Sequence, residues 1–313
     1  MGQAGTEKHG RVLDLYHRFL EGETIRKKEE AQRFGVSEKS IERDIADINA
    51  FFAERRRNGG NNEVRYCREE NGYRLYAQHS QMLEAGEAFA ICKILLASRG
   101  LVKEEMFPVL DKIVRGCVPK RDVAKIGRLL GNEKLFYLDL QHGKPLIDRV
   151  WSLSGAVQEQ KVTWVRYVRM DGQKVERAVE PVGILFSEFY FYLAAYVRDI
   201  DKNAFENKDD TSPTIYRIDR IEDVNVSDEH FAVPYKDKFK EGEFRKRIQF
   251  MQGGKLQRVY FEYSGPSVEA VLDRLPTAEI LSEQDGVYQI TAEVFGKGID
   301  MWFRSQGEYL KVK

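Results

Sequence analysis

Phe34-Gly35-Val36-Ser37-Glu38-Lys39-Ser40-Ile41-Glu42-Arg43-Asp44-Ile45 decides how the first part of this chain folds. Gly35 can take the left-handed backbone conformation that ends a helix, and the Ser37 hydroxyl can cap the next one. Upstream, Val12, Leu15 and Phe19 and then Ala31 and Phe34 fall at helical spacing; downstream, Ile41, Ile45, Ile48 and Phe52 do the same. The spacing predicts three helices with a tight turn between the second and third. Residues 58–62 read as a loop by composition. Residues 64–68 and 73–76 then read as strands, with Asn71-Gly72 as the hairpin signal between them. A hairpin after a helix-turn-helix is a wing, so residues 1–78 are expected to form a winged helix-turn-helix.

Moving outward, the helical period returns over 83–98, 103–117 and 120–130, which predicts a helical connector at 79–144. From residue 162 the period falls to two, with candidate strands at 163–169, 175–180, 183–186, 189–198 and 214–221. Short strands at that density predict a small β-barrel at 145–230. Residues 199–213, polar and acidic, are expected to be an exposed loop. Beyond 231 a strand at 257–263, a helix at 267–275, strands at 279–282 and 287–294 and a helix at 299–305 predict a small α+β module at 231–313. The expected fold class is therefore multidomain α+β, and no internal repeat is present.

The chain has 313 residues, 42% of them hydrophobic, enough for more than one core. Lys plus Arg and Asp plus Glu are equal at 50 each, so contact with nucleic acid has to come from local basic patches. Cys67, Cys92 and Cys117 are far apart and lack zinc-ligand spacing. His9, His17, His79, His142 and His230 are scattered, with no nucleophile or metal pair beside them. Gly296-Lys297-Gly298 lacks the context of a phosphate loop and reads as a strand-to-helix turn. Residues 1–8 are polar with no apolar leader, and no apolar run is long enough to span a bilayer. These observations predict a cytoplasmic protein with no membrane partner, no cofactor, no metal and no catalytic residues, hence no enzyme.

In a helix-turn-helix the second helix enters the major groove with its N-terminal residues toward base edges. Ser37, Lys39, Ser40 and Arg43 occupy that face and are the candidate DNA contacts, with Arg65, Arg68 and Arg74 of the hairpin as backbone contacts. Glu38 and Glu42 work against this reading because each repels phosphate. The alternative is a three-helix packing unit with a solvated charged face.

The order of these segments resembles the WYL-domain transcriptional regulators along nearly the whole chain. Ser40-Ile41-Glu42-Arg43-Asp44-Ile45 is similar to their recognition helix, and Gly72-Tyr73-Arg74-Leu75 to the end of their wing. Glu180-Pro181-Val182-Gly183-Ile184, Phe191-Tyr192-Leu193-Ala194-Ala195-Tyr196 and Tyr216-Arg217-Ile218-Asp219-Arg220-Ile221 resemble the family's sensor pattern in order and spacing. Phe191 stands where the name-giving triplet has tryptophan, which keeps an aromatic plug, and the loop at 199–213 is longer than the family pattern. The resemblance implies an Sm-like or SH3-like five-stranded barrel, a C-terminal extension domain supporting dimerisation and effector response, a homodimer, and an effector that in some members is a single-stranded nucleic acid or a nucleotide.

Alternation along 189–198 puts Phe191, Leu193, Ala195 and Val197 on one face and Tyr190, Tyr192, Tyr196 and Arg198 on the other. Tyr167 and Arg169 share one side of their strand, and Arg217 and Arg220 close the set. Arginine forks suit phosphate or carboxylate and tyrosine faces can stack bases. The candidate effector residues are therefore Tyr167, Arg169, Tyr192, Arg198, Arg217 and Arg220. The alternative pairs these arginines with Glu180, Asp219 or Glu222 as surface ion pairs. The function expected is a transcription regulator that binds a double-stranded DNA operator under the control of an anionic effector. An effector-independent nucleic-acid-binding or protein-interaction adaptor is the alternative, and an enzyme acting on nucleotides has no motif behind it.

Overall fold

The computed structural model describes residues 3–54, 62–76, 82–169, 171–198, 212–234 and 238–313. The chain divides into two compact units, Met1–Asp139 and Leu140–Lys313. The fold is mixed α+β, with helices toward the N-terminus and antiparallel sheets.

In the first unit, α1 (Gln3–Leu20), α2 (Lys27–Phe34) and α3 (Glu38–Glu54) precede the antiparallel hairpin β1 (Glu63–Cys67) and β2 (Gly72–Tyr76). The turn after α2 forms as its residues dictate. Gly35 sits at φ 64° and donates its N–H to the carbonyls of Ala31 and Gln32, while Ser37 Oγ accepts from the Ser40 amide at 3.2 Å. Leu15, Phe19, Ile25, Ile41, Ile45, Ile48 and Phe52 share a core with Val64 of the hairpin. Ile25 and Tyr73 exchange backbone hydrogen bonds at 2.8 and 2.7 Å. Asn49 fastens the other strand, its side chain donating to the Val64 carbonyl at 2.9 Å and accepting from the Val64 amide at 2.7 Å. Inside this core Asp44, 1% exposed, accepts from Arg11 Nε at 2.5 Å and from Nη2 at 3.2 Å, which ties α1 to α3.

The same unit continues through α4 (Ala85–Ser98), α5 (Lys103–Gly116) and α6 (Lys120–Leu135), packed around Ala88, Cys92, Leu96, Met106, Leu110 and Ile126. These helices are joined to the three-helix portion. The Lys120 amide donates to the Glu21 carbonyl at 3.3 Å, its ammonium pairs with Glu21 at 2.5 Å and Glu23 at 2.8 Å, and Arg121 lies 3.9 Å from Glu70. Gly22, at φ 75°, lets Pro119 approach; a Cβ there would lie 2.8 Å from that ring.

The second unit begins at residue 140. Helix α7 (Ile147–Glu159) packs on a five-stranded antiparallel sheet of β3 (Lys161–Val168), β4 (Lys174–Ser187), β5 (Tyr190–Val197), β6 (Thr214–Arg217) and β7 (Ile221–His230), in the order β6-β5-β4-β3-β7. The expected barrel is not closed. The edges β6 and β7 are joined by one 3-10 turn, Ile218–Arg220, and that turn carries the chain to the far side of β3 instead of pairing β7 with the four-residue β6. The two strands expected at 175–180 and 183–186 are one. A bulge between Pro181 and Gly183 bends it where proline has no N–H to give the ladder. Gly183 is required there, since a Cβ would lie 2.7 Å from the Glu241 carboxylate and 2.9 Å from the Phe239 ring.

One face of this sheet packs with α7 through Leu146, Leu153, Val165, Val179, Leu193 and Ala195. The other face is also partly covered, because Leu185 and Ala194 are buried against Phe244 and Ile248, the former on helix α8 (Glu241–Arg247). The chain ends in a four-stranded antiparallel sheet of β8 (Leu256–Tyr263), β9 (Glu279–Gln284), β10 (Val287–Phe295) and β11 (Leu310–Val312), with α9 (Val268–Arg274) and α10 (Gly298–Ser305) beside it. Its core holds Phe261, Val271, Leu275, Ile290, Val294 and Trp302. Gly296-Lys297-Gly298 is the turn from β10 to α10, as its sequence suggests.

Candidate nucleic-acid interface and sensor site

Helix α3 buries Ile41, Asp44, Ile45 and Ile48, so the same period turns Lys39, Glu42 and Arg43 outward. Ser37, at the start of this helix, is exposed and Ser40 is half-buried; their hydroxyls lie 2.9 Å apart. Lys39 and Arg43 are exposed, and among the described residues neither has an acidic partner. The acids between them are engaged instead. Lys27 of α2 reaches Glu42 at 2.6 Å and Glu38 at 3.7 Å, and its hydrogen bond holds the Glu42 carboxyl below the ordinary carboxylate value. The repulsion expected from Glu38 and Glu42 is thus offset by a lysine that the sequence pattern did not single out.

On the hairpin, Arg68 is exposed with no acidic partner among the described residues. Arg65 is held by Glu63 at 2.8 Å, and Arg74, half-buried, lies 3.5 Å from Glu70 and 5.6 Å from the Tyr76 ring centroid. Arg65 and Arg74 face each other directly across the ladder. Lys28, at the start of α2, is a further exposed and unpaired cation of the described surface. Lys39, Arg43 and Arg68 thus lie outside any ion pair of the described residues, Ser37 and Ser40 are bonded to each other, and Arg65 and Arg74 are already paired.

The second cluster lies on the five-stranded sheet. Tyr192 stands directly across from Arg217, so both side chains share one face. The Arg217 guanidinium sits 3.5 Å from the Tyr190 ring centroid and grips Asp219 in a fork, Nε to Oδ1 at 3.1 Å and Nη2 to Oδ2 at 2.8 Å. Partial burial disfavours its charge, but the hydrogen bonds and charge of Asp219 outweigh this and raise its pKa. Burial likewise pushes the Tyr192 phenol up. The segment ahead of α7 closes on the same place, with the His142 ring 6.5 Å from that of Tyr190 and Lys144 Nζ donating to the Asp219 carbonyl at 2.8 Å.

Of the candidate effector residues, only Tyr192 and Arg217 come together in this way. Tyr167 belongs to the opposite, core face, edge-on to Tyr216 at 5.2 Å. Alternation with buried Val165 puts it there, and the irregularity against β7 adds a residue to β7 and leaves β3 regular. Arg169 lies at the β3–β4 turn, 3.9 Å from Asp171. Arg198 is held by Glu180 at 3.2 Å and Glu229 at 2.7 Å, the ion pairing set out as the alternative. Arg220 is half-buried in the 3-10 turn, with no acidic partner among the described residues. Tyr190, His142 and Lys144 are the neighbours the site reading missed. Tyr190 was legible from alternation with Tyr192, whereas His142 and Lys144 arrive from outside the sheet.

No group of three or more His, Cys, Asp or Glu side chains among the described residues could hold a metal ion. Cys67, Cys92 and Cys117 are free thiols, and burial raises the pKa of Cys92. No helix among the described residues is long and apolar enough to cross a membrane. The expected loop at 199–213 lies outside the described residues except for its last two positions.

Comparison with known proteins gives the class of this sheet: residues 150–226 match the WYL domain family, so the chain carries a WYL domain. No curated protein matches it. Among solved structures, it is similar to the proteasome accessory factor B/C (PafBC) of Arthrobacter aurescens, at 15% identity and a TM-score of 0.29 over 98% of this chain. It is also similar to a CRISPR Cas-related protein, at 13% identity and a TM-score of 0.34 over 72% of this chain. The chain spans 44% of the length of the first and 66% of the second. Neither likeness is strong enough to bear on function.

Proposed function

We propose that this protein is a transcription regulator that reads double-stranded DNA with α2, α3 and the β1–β2 hairpin acting as a winged helix-turn-helix, and that an anionic effector at the WYL domain modulates the reading. The observation that carries the first half is the pair of exposed, unpaired cations Lys39 and Arg43 at the N-terminal part of α3, with Arg68 on the adjoining hairpin. In a chain of zero formal net charge, cations outside ion pairs supply the local attraction to phosphate that the bulk charge does not.

The second half rests on the Arg217, Tyr190 and Tyr192 cluster within the WYL domain. A guanidinium stacked on one tyrosine and flanked by another offers a fork for phosphate and a surface for a base, which favours a nucleotide or single-stranded nucleic acid. Such a ligand would compete with Asp219 for Arg217. The sheet order, with a 3-10 turn between its edges, supports an Sm-like reading of the domain as a partly open small barrel. The protein is read as cytoplasmic and non-catalytic.

Fluorescence anisotropy on the DNA upstream of its own gene tests both halves. Arg43→Ala is expected to weaken specific binding by about 1–3 kcal/mol, roughly 5- to 150-fold. Short single-stranded DNA is expected to shift the affinity of the intact protein and of Arg43→Lys but not of Arg217→Ala. Duplex binding indifferent to Arg43 would remove the helix-turn-helix reading and leave a protein-interaction adaptor as the better account.

A homodimer is part of the proposal, since two half-sites need two readers. Its support is the apolar surface of the helical portion, where Ile94 of α4, Leu129 and Leu135 of α6, and Phe136 and Leu138 just after it are exposed. Sedimentation equilibrium is expected to return twice the mass of one chain; the mass of a single chain would overturn it.

A further inference from the structure

Within the second unit, a half-open cavity of about 270 Å³ lies between the β4–β5 turn, the segment after α8 and the end of α9. Its charged lining is balanced, with Arg245 and Arg274 against Glu188 and Asp273. Its apolar lining includes Leu185, Ile248, Phe250 and Met251. It is distinct in composition from the Arg217 cluster, none of whose members lines it.

The pairing inside it is incomplete. Arg274 places its guanidinium 5.0 Å from the Phe250 ring centroid and reaches Glu188 only by two contacts of 3.4 Å to the same oxygen, long for a charge-assisted bond. Its Nε is buried and has no acceptor. Arg245 and Asp273 are exposed and have no ion-pair partners among the described residues. The backbone around them is held in a costly conformation: Glu188, Phe250 and Met251 are non-glycine residues at φ 55°, 50° and 54°. Left-handed non-glycine residues cluster at ligand clamps, where the surrounding structure holds them.

We propose that this cavity binds a small zwitterion, an α-amino acid with an apolar side chain. A carboxylate arriving beside Arg274 would take the two terminal nitrogens, which Glu188 holds only at 3.4 Å, with Arg245 adding charge. An ammonium would take Glu188 and Asp273. An anion alone would leave two carboxylates repelling it, and a cation alone would leave two arginines doing so. The apolar walls suit a hydrocarbon side chain. The volume falls just under the 300–1,000 Å³ typical of drug-sized ligands, which suits a single amino acid.

Isothermal titration calorimetry of the full chain against leucine, methionine and phenylalanine tests this, with 4-methylpentanoate and 3-methylbutylamine as leucine analogues lacking the amine or the carboxylate. At least one amino acid is expected to bind. Arg274→Gln and Glu188→Gln are each expected to weaken it about tenfold or more, as for loss of a charge-assisted hydrogen bond. Arg217→Gln is expected to leave it within about twofold, which separates this site from the effector reading above. Should Arg274→Gln fail to fold, Arg245→Gln at its exposed position carries the same test. Absence of heat with all three amino acids at millimolar concentration, or equal affinity for 4-methylpentanoate and leucine, overturns the proposal.

Discussion

Replacing Asp44 with alanine is expected to destabilise the first unit by about 3–5 kcal/mol, the usual cost of removing one partner of a buried ion pair. Asp44 is 1% exposed and Arg11 only 11%, so the arginine left behind has little water to turn to. Set against the roughly 5–15 kcal/mol that holds an ordinary domain together, this is a large fraction of the total. Far-ultraviolet circular dichroism through a urea titration is weighted toward it, because α1 to α6 hold most of the helical residues and only α7 to α10 lie in the second unit. Tryptophan fluorescence provides the internal control, since Trp151, Trp164 and Trp302 all lie in the second. The dichroism midpoint should fall while the fluorescence midpoint holds. The double change Arg11→Met with Asp44→Leu should recover most of the loss, because well-packed apolar replacements of buried ion pairs are often neutral. A single-variant loss under about 1 kcal/mol would mean that Arg11 rehydrates, and that the pair positions α3 without stabilising it.

Gly298→Ala is expected to do the reverse, lowering the fluorescence midpoint and sparing the dichroism one. A Cβ on Gly298 would overlap the Gln249 carbonyl, and the neighbouring Gly296, at φ 62°, is pressed against the backbone of Gln252 and Gly253. The obstacle in each case is main chain, which cannot rotate aside, so the cost is set at the upper end of overpacking, about 3 kcal/mol. The displaced segment also carries Phe250 and Met251. Gly298→Ala should therefore weaken amino-acid binding even in the molecules that remain folded. Gly307→Ala is the comparison for φ alone: its φ is 58° but nothing lies within 4 Å of the added carbon. Gly298 is not at positive φ, so its loss reports crowding alone, and a loss under about 1 kcal/mol would mean that the Gln249 segment shifts to make room.

The clearest sequence signals were local ones. Gly35 and Ser37 specify their turn by chemistry that acts within a few residues, and Ile41, Ile45 and Ile48 mark the buried side of α3. Glycine spacing also placed the turn at 296–298, though not the reason for it, which is a segment more than forty positions earlier in the chain. Helix α7 was overlooked although Val150, Leu153 and Val157 fall at helical spacing; α8 gave no period to find, having Phe244 as its one buried residue. The sensor cluster was half legible. Alternation put Tyr190 and Tyr192 on one face, but pairing Tyr192 with Arg217 depends on a cross-strand register that no single strand encodes, and Tyr167 follows Val165 onto a face that only packing with α7 makes the core one. The closed barrel failed for a similar reason. The segment expected as one strand at 214–221 is β6, a 3-10 turn and the start of β7, and that three-residue turn decides the side on which β7 pairs.

Lys120 and Arg121 grip Glu21, Glu23 and Glu70, and Pro119 lies against Gly22. For anyone wishing to test the proposed DNA reading on another scaffold, those contacts set where to cut. A graft ending at residue 78 would take Lys120 from Glu21 and Glu23 and Arg121 from Glu70, and lay bare the surface that Pro119 covers. The transferable cassette is Met1–Asp139, helices α4 to α6 included.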